Sequence, residues 1–128
     1  MVDLIDEKLI LAYGLTNEEL EILNGGLSKQ NISPCKTINK NMGMVTIKEI
    51  LNNLEGSKGD TELPNEKLLL FNNYKDKELY DLIASIREIK PSNTILAAVT
   101  PTSINWTISY LIEHLIEERE AYRNSAKS

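Results

Sequence analysis

The stretch richest in chemically capable side chains is Thr100-Pro101-Thr102-Ser103-Ile104-Asn105-Trp106-Thr107. The hydroxyls of Thr100, Thr102 and Ser103 stand together just ahead of the longest helical pattern in the chain. Pro101 suits a first helical position, because it has no amide to satisfy and its φ is already helical. Thr100 is then the expected N-cap, with Thr102 or Ser103 taking that role if the helix begins later. Amides and hydroxyls gathered at the positive end of a helix can seat an anion or another polar ligand. The simpler chemistry is that the hydroxyls cap their own helix. The stretch also lacks the glycines that let a phosphate come close to the backbone.

Nucleophiles and metal ligands are sparse elsewhere. Cys35, the single cysteine, follows Pro34 and has no base beside it, so neither a disulfide, a thiolate cage nor thiol catalysis is expected. His114 is the single histidine and has no Cys, His or Asp at ligand spacing, so no metal and no cofactor are expected. No nucleophile–base pair or acid pair can be named, and the chain reads as non-catalytic. Trp106, Tyr110 and His114 recur at spacing four, on a helical face other than the apolar stripe of Ile104, Ile108, Leu111, Ile112, Leu115 and Ile116. These rings either pack inside the chain or form a contact surface for a second copy or a protein partner, since Trp and Tyr are favoured interface anchors.

The elements that must position these groups are written twice. Lys8-Leu9-Ile10-Leu11-Ala12 and Lys67-Leu68-Leu69-Leu70-Phe71 are continuous apolar runs 59 positions apart, the pattern of strands buried on both faces. Over residues 8 to 20 and their counterparts, five of thirteen are identical, which favours a duplication over coincidence. A helical pattern follows each run. Thr16-Asn17-Glu18-Glu19 is a capping box, with Leu15 and Leu20 placed for a hydrophobic staple. Lys75 stands where Thr16 does, which gives the second copy a weaker cap or moves it to Asp76. Gly25-Gly26 reads most simply as the end of the first helix, and Pro91 as the stop of the second. Cys35-Lys36-Thr37-Ile38 is a poor, edge-type strand, whereas Thr94-Ile95-Leu96-Ala97-Ala98-Val99 has the composition of an interior one. Val45 to Leu54 and Trp106 to Leu115, 61 positions apart, complete each half with a second helix.

Two βαβα units imply a four-stranded, mostly parallel sheet of order 2-1-3-4 with helices on its faces, an α/β fold. The single domain 1–128 divides into a first unit at 8–55, a linker at 56–66 and a second unit at 67–123. A doubly wound arrangement, with the helices of each half on opposite faces, is favoured, and an antiparallel central pair stays open. In the doubly wound case Tyr13, Asn72, Thr100, Thr102 and Ser103 rim one crevice at the carboxyl ends of the strands, where a small polar or anionic ligand is expected.

Composition narrows the classes further. Hydrophobic residues at 41% and charged ones at 26% suit a globular fold, and a net charge of −5 without a basic block disfavours nucleic acid. No apolar run approaches the roughly 20 residues that span a bilayer. Acids near the N-terminus, in place of bases, point to a cytoplasmic protein rather than an exported one.

Thr-Pro-Thr-Ser-x-Asn-Trp-Thr, followed by Leu111-Ile112-Glu113-His114-Leu115-Ile116-Glu117-Glu118, resembles a family of small bacterial proteins catalogued only as a domain of unknown function. The resemblance covers about residues 67 to 123. Ser103 stands where the family usually has Asn, and Arg119 where a His is common. It implies no activity, cofactor or catalytic residue. The first half has Asn39-Lys40 in place of Thr100-Pro101, so any special role of this loop belongs to the second half. The expected function is that of a non-catalytic module working through self-association or a protein partner, with small-ligand sensing as the alternative.

Overall fold

The structure is a computed structural model that describes residues 6–53 and 62–126. Most of the expected linker therefore lies outside the described residues. In chain order the elements are β1 (Leu9–Tyr13), α1 (Asn17–Lys29), β2 (Lys36–Ile38), a 3-10 turn at Lys40–Met42, α2 (Ile47–Leu51), β3 (Lys67–Asn72), α3 (Asp76–Ile86), β4 (Thr94–Ala98), a 3-10 turn at Ser103–Asn105 and α4 (Ile108–Ala126). Strand, helix, strand, 3-10 turn and helix thus follow in the same order in both halves. The chain forms two compact units, Met1–Asn39 with Pro64–Val99, and Lys40–Leu63 with Thr100–Ser128.

The first unit is built on one sheet of order β2-β1-β3-β4. β1 runs parallel to β2, and β3 runs parallel to β4. The central pair, β1 and β3, is antiparallel, with Leu11 opposite Leu70, Leu9 opposite Asn72 and Tyr13 opposite Leu68. This corrects the favoured doubly wound arrangement. α1 and α3 share one face of the sheet, where Leu23, Leu27, Leu82 and Ile86 pack with Ile10, Ala12, Leu69 and Phe71 in one core. Residues of the opposite face, Leu11, Leu68 and Leu70, are equally buried, which is why both strands are apolar without alternation.

The register is self-complementary. A shift of 59 carries Leu9 to Leu68, Leu11 to Leu70 and Tyr13 to Asn72, so the β1–β3 ladder maps onto itself about the Leu11–Leu70 pair. The ion pairs Lys8–Glu78 and Lys67–Glu19 exchange under the same shift. Two identical chains meeting about a two-fold axis would make these isologous contacts. Here one chain makes them internally.

Local chemistry explains the element ends. Thr16 accepts from the Glu19 amide at 3.2 Å while the Glu19 carboxylate accepts from the Thr16 amide at 2.8 Å, completing the capping box. α3 has no such bond at Lys75, as its sequence predicts. α1 continues through Gly25-Gly26 to Lys29, contrary to the helix end expected there. Close packing accounts for the difference at Gly26, where a Cβ would lie 2.3 Å from Ile89 Cδ1. α3 ends at Ile86, earlier than Pro91 requires, where the Arg87 and Ile89 amides donate three residues back, to the Ala84 and Ile86 carbonyls, in place of α-helical bonds. β4 is an edge strand of intermediate exposure, not an interior one.

The second unit holds α2 and α4. Thr46 caps α2 in a second complete capping box with Glu49. Thr107 accepts from the Tyr110 amide at 3.2 Å and caps α4. Thr46 and Thr107 form an antiparallel bridge. The Ile47 amide donates to the Trp106 carbonyl at 3.0 Å, and the Ile108 amide donates to the Val45 carbonyl at 2.9 Å. A shift of 61 exchanges those two bonds, so this pairing too is reciprocal between the halves. Ile47, Ile50, Leu51, Ile108, Leu111 and Ile112 are buried.

Candidate functional site

The Thr100 loop folds differently from the expected helix start. The Thr100 hydroxyl accepts from the Ser103 amide at 2.9 Å, and the Ser103 hydroxyl accepts from the Thr100 amide at 3.0 Å. The two hydroxyls lie 3.1 Å apart, and Ser103 is only 6% exposed. Reciprocal bonds close a turn on itself, and a short 3-10 segment and then Thr107 intervene before α4 begins. Thr107, and not Thr100, Thr102 or Ser103, is therefore the residue that caps the long helix. The amides of Ile104, Asn105 and Trp106 donate to Thr100, Thr102 and Ser103 carbonyls. Thr102 is exposed and its side chain makes no capping bond.

Tyr13 and Asn72 do not meet. The antiparallel register sets Tyr13 beside Leu68 and Asn72 beside Leu9, at opposite ends of the central pair. Both side chains serve the backbone around them. The Tyr13 hydroxyl donates to the Pro64 carbonyl at 2.8 Å, and the Asn72 carboxamide donates to the Glu7 carbonyl at 2.8 Å. They are 2% and 4% exposed, too enclosed to rim an open crevice.

Trp106, Tyr110 and His114 do come together along α4. Trp106 meets Tyr110 edge to face at a 4.8 Å centroid distance and His114 edge to face at 5.1 Å. Tyr110 and His114 lie nearly parallel, 6.4 Å apart. Glu118 extends the ladder by one turn, with its Oε1 3.0 Å from His114 Nε2. Tyr110 is 52% exposed. The rings pack on each other, and the outer one faces solvent.

The structure adds an open cleft of about 630 Å³ in the first unit, to which the sequence reasoning assigned no role. Lys8, Tyr74, Lys77, Glu78, Asp81 and Leu82 line it together with Gln30 to Ser33, which follow α1. Lys8 pairs with Glu78 and lies 6.0 Å from the centre of the Tyr74 ring. Lys77 pairs with Asp81 at 2.9 Å. Burial, reinforced by the Glu78 carboxylate, pushes the Tyr74 hydroxyl above its usual pKa, so it stays a neutral donor. That hydroxyl has no hydrogen-bond partner among the described residues. The lining comes from segments far apart in sequence, and only a position-by-position comparison of the two halves could have drawn attention to it.

The remaining candidates carry little chemistry. Burial pushes the Cys35 thiol up to about 11, far from a reactive thiolate at neutral pH. Among the described residues no group of three His, Cys, Asp or Glu side chains is placed to hold a metal ion. No described helix is long and apolar enough to cross a membrane.

The α/β sheet, its shared helical face and the Thr-Pro-Thr-Ser turn define the class in structural terms. Residues 67–122 match the sequence model of a family described as Domain of unknown function (DUF3783), in agreement with the resemblance carried by the Thr-Pro…Trp element. Comparison with curated proteins gives no match, and comparison with solved structures gives none. The family match covers β3, α3, β4 and most of α4.

Proposed function

We propose that this chain is a non-catalytic module that associates with a second copy of itself through the Trp106–Tyr110–His114 face of α4. The observation that carries the reading is the exposure of Tyr110 within an ordered aromatic ladder. Stacked, rotamer-restricted rings lose little entropy on docking, which makes them effective anchors. The ladder is absent from the other half, where Val45, Glu49 and Asn53 occupy the equivalent positions. The shared architecture is thus made without these rings, and something beyond folding is needed to account for them.

The same proposal takes residues 8–55 and 67–123 as copies of one βαβα unit within a single domain. Its support is the identical element order and the reciprocal pairing at Leu11–Leu70 and at Thr46–Thr107. Duplication leaves one copy free to diverge. In this chain the second copy has lengthened its last helix to 19 residues, against five for α2, and placed aromatic side chains along it.

The test is Tyr110→Glu, read by size-exclusion chromatography with light scattering. A carboxylate forced into a desolvated contact is costly, and loss of a hot-spot ring weakens association by at least about 2 kcal/mol, roughly 30-fold in Kd. The variant is expected to run as a monomer where the wild type associates, with little change in its melting temperature. Unchanged association in the variant, or a monomeric wild type, would overturn the reading; in the second case a different protein becomes the occupant to seek.

A further inference from the structure

The internal two-fold relation supplies a control that single-copy folds lack. A feature needed for folding should occur on both sides of the axis, whereas a feature built for a ligand need occur on only one. The Lys8–Glu78 and Lys67–Glu19 pairs occur on both sides, and the scaffold thus supplies one ion pair to the cleft. Much of the lining of the cleft beside Lys8 is not repeated in the other half. Tyr74 stands where the other side has Leu15, Lys77 where it has Glu18, Asp81 where it has Ile22, and Gln30 where it has Ile89. On that other side Ile89 packs down onto Gly26. The Lys8 side thus carries an aromatic ring and a further ion pair where the other side has Leu15, Glu18 and the exposed Ile22, and the Tyr74 hydroxyl is unpartnered among the described residues.

We infer that this cleft is a binding site for a small zwitterion of the free amino acid type, carrying an ammonium, a carboxylate and a flat side chain. Lys8 with Glu78, and Lys77 with Asp81, place two ion pairs in the lining, whose charges sum to zero. An ion of a single sign that opens one of these partly exposed pairs exchanges one charged contact for another and gains little. A ligand bearing both signs exchanges with both members at once. The Tyr74 ring, Ile32 and Leu82 offer an apolar wall for a flat side chain, while Gln30, Asn31, Ser33 and the Tyr74 hydroxyl offer neutral polar contacts. The cleft volume falls in the range of small-molecule sites.

The experiment is a titration of the isotope-labelled full chain with L-phenylalanine, inorganic phosphate and putrescine, followed by amide chemical shifts. At about 10 mM, enough to fill most of a millimolar site, L-phenylalanine should shift residues 30–33 and 74–82, and leave the equivalent positions 15–23 and 89–92 unmoved. Phosphate and putrescine should each produce at most a tenth of that effect. Lys77→Gln with Asp81→Asn alters two exposed side chains, so the fold is retained, and the apparent affinity should fall at least about tenfold. Absence of shifts at 10 mM, a phosphate or putrescine response equal to that of L-phenylalanine, or an unchanged affinity in the double variant would each overturn the inference.

Discussion

Replacing Ser103 by alanine separates a hydroxyl that holds its own turn from one that waits for a ligand. The Ser103 hydroxyl accepts from the Thr100 amide at 3.0 Å and lies 3.1 Å from the Thr100 hydroxyl. Ser103→Ala removes both interactions and leaves the part-buried Thr100 amide without that acceptor. At about 0.5–1.5 kcal/mol for each net bond, the loss is about 1–3 kcal/mol. For a chain of this length that corresponds to a fall in Tm of roughly 3–10 °C. Thr102→Ala, which removes an exposed hydroxyl without a capping bond, should stay within about 0.5 kcal/mol of wild type. Because Thr100 and Ser103 share their bonds, Thr100→Ala with Ser103→Ala should cost clearly less than the two single effects added. Urea unfolding of the four variants reads all of this. Equal losses for Ser103→Ala and Thr102→Ala, or strict additivity between Thr100 and Ser103, would refute the self-capped turn and return the hydroxyls to candidacy as ligand groups.

Three further outcomes follow from the geometry. The Lys67 ammonium, together with the Thr16 amide, holds the Glu19 carboxyl below its ordinary value near 4.5; this stabilisation is present above the unfolded value and is lost as pH falls through the lower folded one. Glu19→Gln should therefore cost up to about 1 kcal/mol at pH 7 and low salt, with the difference from wild type vanishing in acid, as measured by unfolding at several pH values. Gly14 has φ +82°, and a Cβ there would lie 2.0 Å from the Glu66 carbonyl oxygen, so Gly14→Ala should destabilise by at least about 2 kcal/mol in thermal melts. With its pKa raised from 9.0 to about 11, the Cys35 thiol at pH 8 should alkylate with iodoacetamide about 100-fold more slowly in the folded chain than in urea.

Much of the scaffold can be read directly from residue order. The two apolar runs, the Thr16 capping box and the order 2-1-3-4 all follow from local pattern and short connections. The direction of the central pair does not, because Ile10–Ala12 and Leu68–Phe71 are buried on both faces, and an uninterrupted apolar strand carries no alternation to tell parallel from antiparallel. That one reversal separates Tyr13 from Asn72 and removes the expected crevice. Gly25-Gly26 reads as a helix end when only local propensity is weighed, whereas Gly26 meets Ile89 from another element. The Thr100 loop misleads for the opposite reason. Threonine, proline and serine in sequence satisfy the rules for a helix start, yet Thr100 and Ser103 satisfy each other first and pass the cap to Thr107. The Trp106, Tyr110 and His114 ladder was legible because helical spacing alone brings its members together. The cleft was not, since its lining comes from three separate stretches of the chain, around Lys8, Gln30–Ser33 and Tyr74–Leu82.

Sedimentation equilibrium of the wild-type chain, from low micromolar to high micromolar concentration, tests the proposed self-association most directly. The ladder on α4 predicts that the weight-average mass rises from that of one chain towards that of two as concentration increases, and that Tyr110→Glu holds it at one chain throughout. A wild-type mass fixed at one chain across the whole range would contradict the account.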